Sequence, residues 1–115
     1  MSLVLLMALW VGPGSQGAVF RDVQALTEDR RFGAAWSRLA GIEDPVMAAR
    51  AEADLAFFAR DFRASLAAVD RGLAHERGEG NLYLLYRGTS AALWIRDEDA
   101  AVDLAWQLDQ AIRGA

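Results

Sequence analysis

The sequence predicts an all-α fold built from three consecutive antiparallel helical hairpins. Alanine is abundant and proline occurs only twice, so the composition favours helix over strand. No stretch of six or more residues alternates apolar with polar side chains, as a half-buried strand does. Residues that cap helix N-termini recur along the chain and precede apolar series in steps of three and four. The 115 residues leave room for one domain, expected over residues 18–115.

Residues 1–17 form an apolar leader that differs from the rest of the chain. Positions 3–11 are uninterruptedly apolar, and Gly12-Pro13-Gly14 ends the run. The run is shorter than the roughly 20 apolar residues that span a bilayer. It fits the apolar part of a secretory signal cleaved after Gly17, which would place the protein in the periplasm. The alternatives are a helix docked on the first hairpin of a cytoplasmic protein, or a remnant of a membrane anchor. Membrane contact is expected only through this leader, if it is uncleaved.

The first hairpin is expected to begin at Ala18, with its first helix ending at Glu28 and a turn at residues 29–31. Its second helix carries one apolar stripe, formed by Phe32, Ala35, Leu39 and Ile42. Steps of three and four place these side chains on one face.

The second hairpin has the clearest start. Asp44 can cap free backbone N–H groups, and Pro45 suits a first helical turn, where its missing donor costs nothing. This helix is expected to reach Phe58. Asp61 is the expected cap of the next helix, whose apolar series is Phe62, Ser65, Leu66, Val69 and Leu73.

The third hairpin follows a loop at residues 77–80. Asn81 is expected to cap a helix that reaches Ile95, and the acidic residues 97–99 suit the positive end of the next helix dipole. The stripe predicted for this last helix is Ala101, Ala105, Leu108 and Ile112.

Two segments of the chain have similar sequences. Residues 30–42 and 60–73 both begin Arg-x-Phe and continue with small and apolar residues; Phe32 and Phe62 are 30 apart, and the caps Asp61 and Asp97 are 36 apart. A period near 34 built from helix pairs resembles the tetratricopeptide-repeat (TPR) family across residues 18–113. Ala53, Phe62 and Ser65 match its small, aromatic and small positions. The resemblance implies a short right-handed solenoid.

The middle and third units depart from the family pattern in places. The middle unit lacks the large aromatics early in its first helix, and no proline closes a unit in the usual way. In the third unit, either Ala101 or Val102 can take the small position.

The resemblance also implies that the first helix of each pair lines a concave face. The residues it places there are Phe20, Gln24, Thr27, Met47, Arg50, Asp54, Phe57, Tyr83, Tyr86, Arg87, Ser90 and Trp94. Guanidinium groups clamp carboxylates and aromatic rings add apolar contact area, so this lining suits a peptide or a partner's tail. The alternative for Arg50 and Asp54 is a solvated pair on one helix. Trp36 and Trp106 are expected to pack between units or at the rim.

The sequence lacks the residues that several classes of function require. The net charge is −4 and the pI about 4.9 with no basic cluster, so no nucleic-acid partner is expected. The absence of cysteine excludes disulfides and thiolate metal sites. The sole histidine, His75, lacks the second histidine of a zinc motif. We therefore expect no catalytic set, no metal and no cofactor. Arginine without lysine indicates a GC-rich, bacterial genome.

The sequence thus favours a non-enzymatic interaction module that binds a peptide or partner protein on a concave helical surface. One alternative is a self-associating structural domain, a homodimer through Val102, Trp106, Ile112 and the leader. The other is an accessory subunit of an enzyme or envelope complex.

Overall fold

The computed structural model describes residues 16–114, and these form six α-helices and no strand. The helices are α1 (Gln16–Glu28), α2 (Phe32–Leu39), α3 (Pro45–Phe58), α4 (Phe62–Ala74), α5 (Leu82–Trp94) and α6 (Glu98–Gly114). A short 3₁₀ turn, Glu76–Gly78, follows α4. The all-α prediction is confirmed for this part of the chain.

Each helix packs against the helix that follows it. Contacts join α1 to α2, α3 to α4 and α5 to α6, and further contacts join α2 to α3 and α4 to α5. The first helices of the three pairs also contact one another, α1 with α3 and α3 with α5. Residues on α1, α3 and α5 are therefore neighbours although they lie about 30 positions apart in sequence.

The turn inside each pair has the same backbone geometry. Arg30, Arg60 and Arg96 take positive φ angles of 60°, 66° and 59°. The amide after each arginine donates to the carbonyl five residues earlier, at 2.9, 2.8 and 2.9 Å. This is the Schellman ending of a helix, which usually places glycine at the left-handed position. The dipeptides at residues 30–31, 60–61 and 96–97 therefore mark a repeated structural unit.

The predicted N-caps are confirmed at four helices. The Asp44 carboxylate accepts from the first-turn amides of α3 at 2.9 and 3.1 Å. Asp61, Asn81 and Asp97 each accept from the amide three residues later, at 3.1, 3.0 and 3.1 Å. These bonds satisfy backbone donors that a helix N-terminus leaves unpaired.

Small residues bring α3, α4 and α5 close together. The buried cluster between these helices comprises Ala53, Ala68, Val69 and Leu84. A Cβ atom added at Gly88 would lie 2.7 Å from Cγ1 of Val69, and one added at Gly72 would lie 2.7 Å from Cδ1 of Leu84. Glycine at these two positions sets the separation of the helices.

Two predicted boundaries differ from the structure. Helix α2 ends at Leu39, so Ile42 lies in the following loop, where it is nevertheless buried in the core of the first hairpin. Helix α1 begins at Gln16, two residues before the expected start. The Gln16 side chain accepts from the amides of Glu43 and Asp44, which ties this helix end to the loop after α2. The predictions for the leader before Gln16 fall outside the described residues.

The stripe predicted for the last helix is partly wrong. Ala101 and Leu104 are buried, whereas Ala105 and Ile112 are exposed. The reason is that α6 packs chiefly on α5 among the described elements, so only a narrow strip of its surface is covered. Of the two residues considered for the small position of the third unit, Ala101 is buried and Val102 is exposed. No helix in the described range has the length and apolarity needed to cross a bilayer.

Candidate functional site

Nine of the twelve residues predicted for the concave face lie on two neighbouring helices, α3 and α5. Seven of these nine are the residues predicted to contact a partner, namely Arg50, Asp54, Phe57, Tyr83, Tyr86, Arg87 and Trp94. Arg50 of α3 lies next to Tyr83 of α5, and Asp54 lies next to Arg87 one turn further along both helices. The two helices therefore run parallel. Three surface cavities of about 220, 160 and 820 Å³ follow this face from the start of α3 to the end of α5. Arg50 lines the first, Asp54 and Tyr83 line the second, and the remaining four line the third.

A buried ion pair joins α3 to α5 beneath this face. Arg87 and Asp54 are each only 7% exposed, and Nε of Arg87 donates to Oδ1 of Asp54 at 2.9 Å. The Tyr83 hydroxyl donates to the same carboxylate, 2.6 and 2.5 Å from its two oxygens, and accepts from Nη2 of Arg87 at 3.3 Å. Because the three groups satisfy one another, the charges are compensated within the protein.

The environment fixes the protonation of the two α5 members. Burial raises the pKa of the Tyr83 phenol, and the hydrogen bond to Asp54 raises it further, so the phenol remains a donor at neutral pH. Burial alone would lower the pKa of Arg87, but its bond to Tyr83 and the charge of Asp54 outweigh this and raise it. The Tyr83 phenol therefore stays neutral and the Arg87 guanidinium stays charged over the physiological range.

The structure corrects the alternative of a solvated pair between Arg50 and Asp54. Asp54 is buried and bonds to Arg87, 33 residues away in sequence, instead of to the arginine one turn before it. Arg50 instead lies over aromatic rings, with its guanidinium carbon 4.2 Å from the Tyr83 ring centroid and 5.3 Å from that of Phe20.

Stacked aromatic rings form the C-terminal part of the face. The guanidinium carbon of Arg87 lies 4.2 Å from the Phe57 ring centroid. Phe57 meets Phe62 edge to face at 5.1 Å, and Phe62 stacks on Trp94 at 5.0 Å with planes 7° apart. These contacts fix the orientation of Trp94 while leaving it 59% exposed.

The broad cavity of about 820 Å³ combines apolar and cationic lining. Its walls are Phe57, Phe58, Tyr86, Arg87, Ser90, Leu93, Trp94 and Arg96. Phe58, Tyr86, Leu93 and Trp94 are all exposed large apolar side chains, an arrangement that marks a contact surface. Such a surface can hold an apolar side chain of a partner.

Sequence reasoning missed three residues of this cavity, namely Phe58, Leu93 and Arg96. Phe58 lies one turn beyond Asp54 on α3, so helical spacing alone contained the signal. Leu93 precedes Trp94 on α5, and no sequence pattern distinguishes this exposed leucine from a core leucine. Arg96 belongs to the repeated turn, and its left-handed backbone geometry was not predicted from the sequence.

The residues predicted on the first helix lie at the edge of this face. Gln24 and Thr27 line the cavity of about 160 Å³, and Phe20 lines the one of about 220 Å³. The Thr27 hydroxyl donates to the carbonyl of Val23 at 2.8 Å and is buried, so it contributes to helix packing. Gln24 is half-buried and Glu28, which lines the same cavity, is exposed, so both are polar groups that α1 offers to a ligand.

The remaining singled-out residues lie elsewhere. Trp36 and Trp106 are both exposed, which places them at the rim instead of between helix pairs. Nδ1 of His75 accepts from the amide of Arg77 at 3.2 Å, so this histidine caps the 3₁₀ turn. Within residues 16–114, no cluster of three or more His, Asp or Glu side chains is arranged to hold a metal ion.

Comparison of the chain with known protein families, with curated proteins and with solved structures finds no match in any of the three.

Proposed function

We propose that this protein is a non-enzymatic interaction module that binds an extended peptide or a partner protein's tail on the face formed by α1, α3 and α5. The observation that carries the proposal is the broad cavity between α3 and α5, where exposed Tyr86 and Trp94 stand over a buried network that is already charge-compensated. A rigid aromatic lining on ordered helices offers contact area at low entropic cost.

The proposed architecture is a short right-handed TPR-like stack in which this face is concave. Three identical turns at Arg30, Arg60 and Arg96 support a repeated hairpin unit. Contacts between successive first helices support their alignment on one side of the molecule. A stack of this kind leaves one extended surface for a ligand, because each unit contacts only its neighbours.

The test is a display selection of random peptides on the purified protein. The wild-type chain is expected to enrich a consensus, and the double variant Tyr86→Ala, Trp94→Ala should bind the enriched peptide about tenfold more weakly or worse, as loss of hot-spot aromatics does. Trp106→Ala is the matched control, since Trp106 is equally exposed but lies on α6. Equal weakening by the control would reject the assignment of the binding face.

A second candidate function is self-association through α6. Val102, Trp106 and Ile112 are 70%, 62% and 57% exposed on a helix that, among the described elements, packs chiefly on α5. Such an apolar face at the end of a stack is a contact site for another copy. Sedimentation at high protein concentration tests this. A dimer that Trp106→Glu dissociates supports it, and a monomer at every concentration excludes it.

A further inference from the structure

Arg50 is a fixed cation without a counter-ion. Its guanidinium lies between the rings of Phe20 and Tyr83, at 5.3 and 4.2 Å from their centroids. Its Nε atom is buried and has no hydrogen-bond partner, and no carboxylate within residues 16–114 forms an ion pair with it. The buried arginine of the same face, Arg87, has both kinds of partner. Arg50 therefore retains donors that are oriented but unused.

Arg50 carries the excess positive charge of the cavity that it lines. The space of about 220 Å³ is also lined by Asp44 and Arg77. These two neutralise each other, since Nη1 of Arg77 lies 3.0 Å from Oδ2 of Asp44. The other Asp44 oxygen accepts from amides at the start of α3. A ligand carboxylate complements the excess positive charge, and it matches the planar fork of a guanidinium held between two rings.

The second subsite on this face lies near the opposite ends of α3 and α5. Trp94, which lines the broad cavity, is eleven residues beyond Tyr83, which stacks on Arg50. At 1.5 Å of rise per helical residue the two levels are about 16 Å apart. An extended peptide covers about 16 Å in five residues, at 3.3 Å each.

We propose that the peptide bound on this face is extended and carries an acidic side chain that pairs with Arg50. An apolar or aromatic side chain about five residues away fills the cavity at Trp94. This inference rests on the proposed function and adds the chemistry and spacing of the ligand. The compensated network of Asp54, Arg87 and Tyr83 extends from the ring that stacks on Arg50 to the wall of the cavity at Trp94, so it requires no charge on the peptide residues in between.

The test uses fluorescent peptides with one glutamate and one tryptophan joined by glycine and serine. Both ends are blocked, so the glutamate supplies the single carboxylate. Spacings of two, five and eight residues are compared in both chain directions by fluorescence anisotropy. At a spacing of five, in the favoured direction, the glutamate peptide is expected to bind about tenfold more tightly than its glutamine counterpart, as charge-assisted bonds to arginine do. It should also bind more tightly than the peptides with the other two spacings.

Variants locate the effect. Arg50→Gln should abolish the preference for glutamate over glutamine yet keep the contribution of tryptophan, whereas Trp94→Ala should do the reverse. Arg50→Gln should lower the thermal midpoint only by the loss of its cation–π contacts with Phe20 and Tyr83, because Arg50 has no ionic partner to lose. Arg38→Gln, which alters an arginine on α2, is the control and should leave peptide binding unchanged.

Several results overturn the inference. One is an undiminished glutamate preference in Arg50→Gln, and another is equal binding at all three spacings. A third is equal binding of a glutamine peptide with a free C-terminus, since it would assign Arg50 to a terminal carboxylate. Absence of binding by every peptide of the set also rejects it. If Trp94→Ala weakens a display-selected peptide while Arg50→Gln does not, the proposed function stands and only this inference fails.

Discussion

The buried pair of Asp54 and Arg87 gives the strongest prediction about stability. Asp54→Ala removes the carboxylate that accepts from Nε of Arg87 and from the Tyr83 hydroxyl, at 2.9 and 2.6 Å. Arg87 then remains a charged group enclosed by the protein, with no counter-ion within reach. The Phe57 ring, 4.2 Å from the guanidinium carbon, still contributes a cation–π contact.

The size of the effect follows from this arrangement. Breaking a buried ion pair from one side costs about 3–5 kcal/mol, because the other charge stays buried. The retained contact with Phe57 places the expected loss near the lower limit, about 3 kcal/mol. Unfolding free energies of small domains are about 5–15 kcal/mol. At about 4 °C per kcal/mol, the thermal midpoint should fall by about 12 °C.

The assay is urea unfolding followed by circular dichroism, combined with a thermal scan. Asp22→Ala is the matched control, since Asp22 forms an ion pair with Arg38 at 2.8 Å on the surface. Exposed pairs contribute only about 0–1 kcal/mol. Adding Arg87→Met to Asp54→Ala should recover part of the loss by removing the stranded charge. A loss in Asp54→Ala no larger than that in Asp22→Ala would refute the reasoning.

Three further predictions concern the backbone and pH. Gly88→Ala should destabilise the fold by about 1–3 kcal/mol, because its Cβ would lie 2.7 Å from Val69. Gly33→Ala, in open space on α2, should instead stabilise the fold by about 0.5–1 kcal/mol. Urea titration measures the unfolding free energy of both variants. Arg60→Gly should stabilise it by about 1 kcal/mol, since glycine removes the strain of a side chain at φ 66°. Backbone amides at the start of α3 lower the pKa of Asp44 below its usual 3.8, so the stability it contributes is complete above that value and is lost as the pH falls through the lowered pKa. Asp44→Asn should therefore reduce the acid dependence of the unfolding free energy.

Each of these predictions has a contradicting result. Gly88→Ala as stable as the wild type would mean that α4 and α5 are less closely packed. Destabilisation by Arg60→Gly would mean that the left-handed turn carries no strain. Acid dependence that is identical in Asp44→Asn and the wild type would show that this cap bears no charge-dependent bonds.

Local signals in the sequence located the helices. The starts at Asp44, Asp61, Asn81 and Asp97 were predictable because a cap is chosen by the residues that immediately follow it. The end of α2 was not predictable from the apolar stripe. Ile42 continues the helical spacing, yet it reaches the core from the loop.

The candidate site was predictable as a set of helix faces but not as a set of contacts. Helical spacing places Asp54 on the same face as Arg50. Spacing alone does not show whether the Asp54 carboxylate pairs with Arg50 or with Arg87. The choice of Arg87 depends on how closely α3 and α5 approach, which is a property of the tertiary packing. The exposed side of α6 depends likewise on tertiary packing, since its main described neighbour is α5.

The binding face is tested most directly by mapping amide chemical shifts of the ¹⁵N-labelled protein with a peptide taken from the display selection. The account predicts that the perturbed amides lie in α3 and α5, chiefly around Arg50, Tyr83 and Trp94, and that α6 stays unchanged. Shifts concentrated at Val102 and Trp106, with α3 and α5 unaffected, would contradict it.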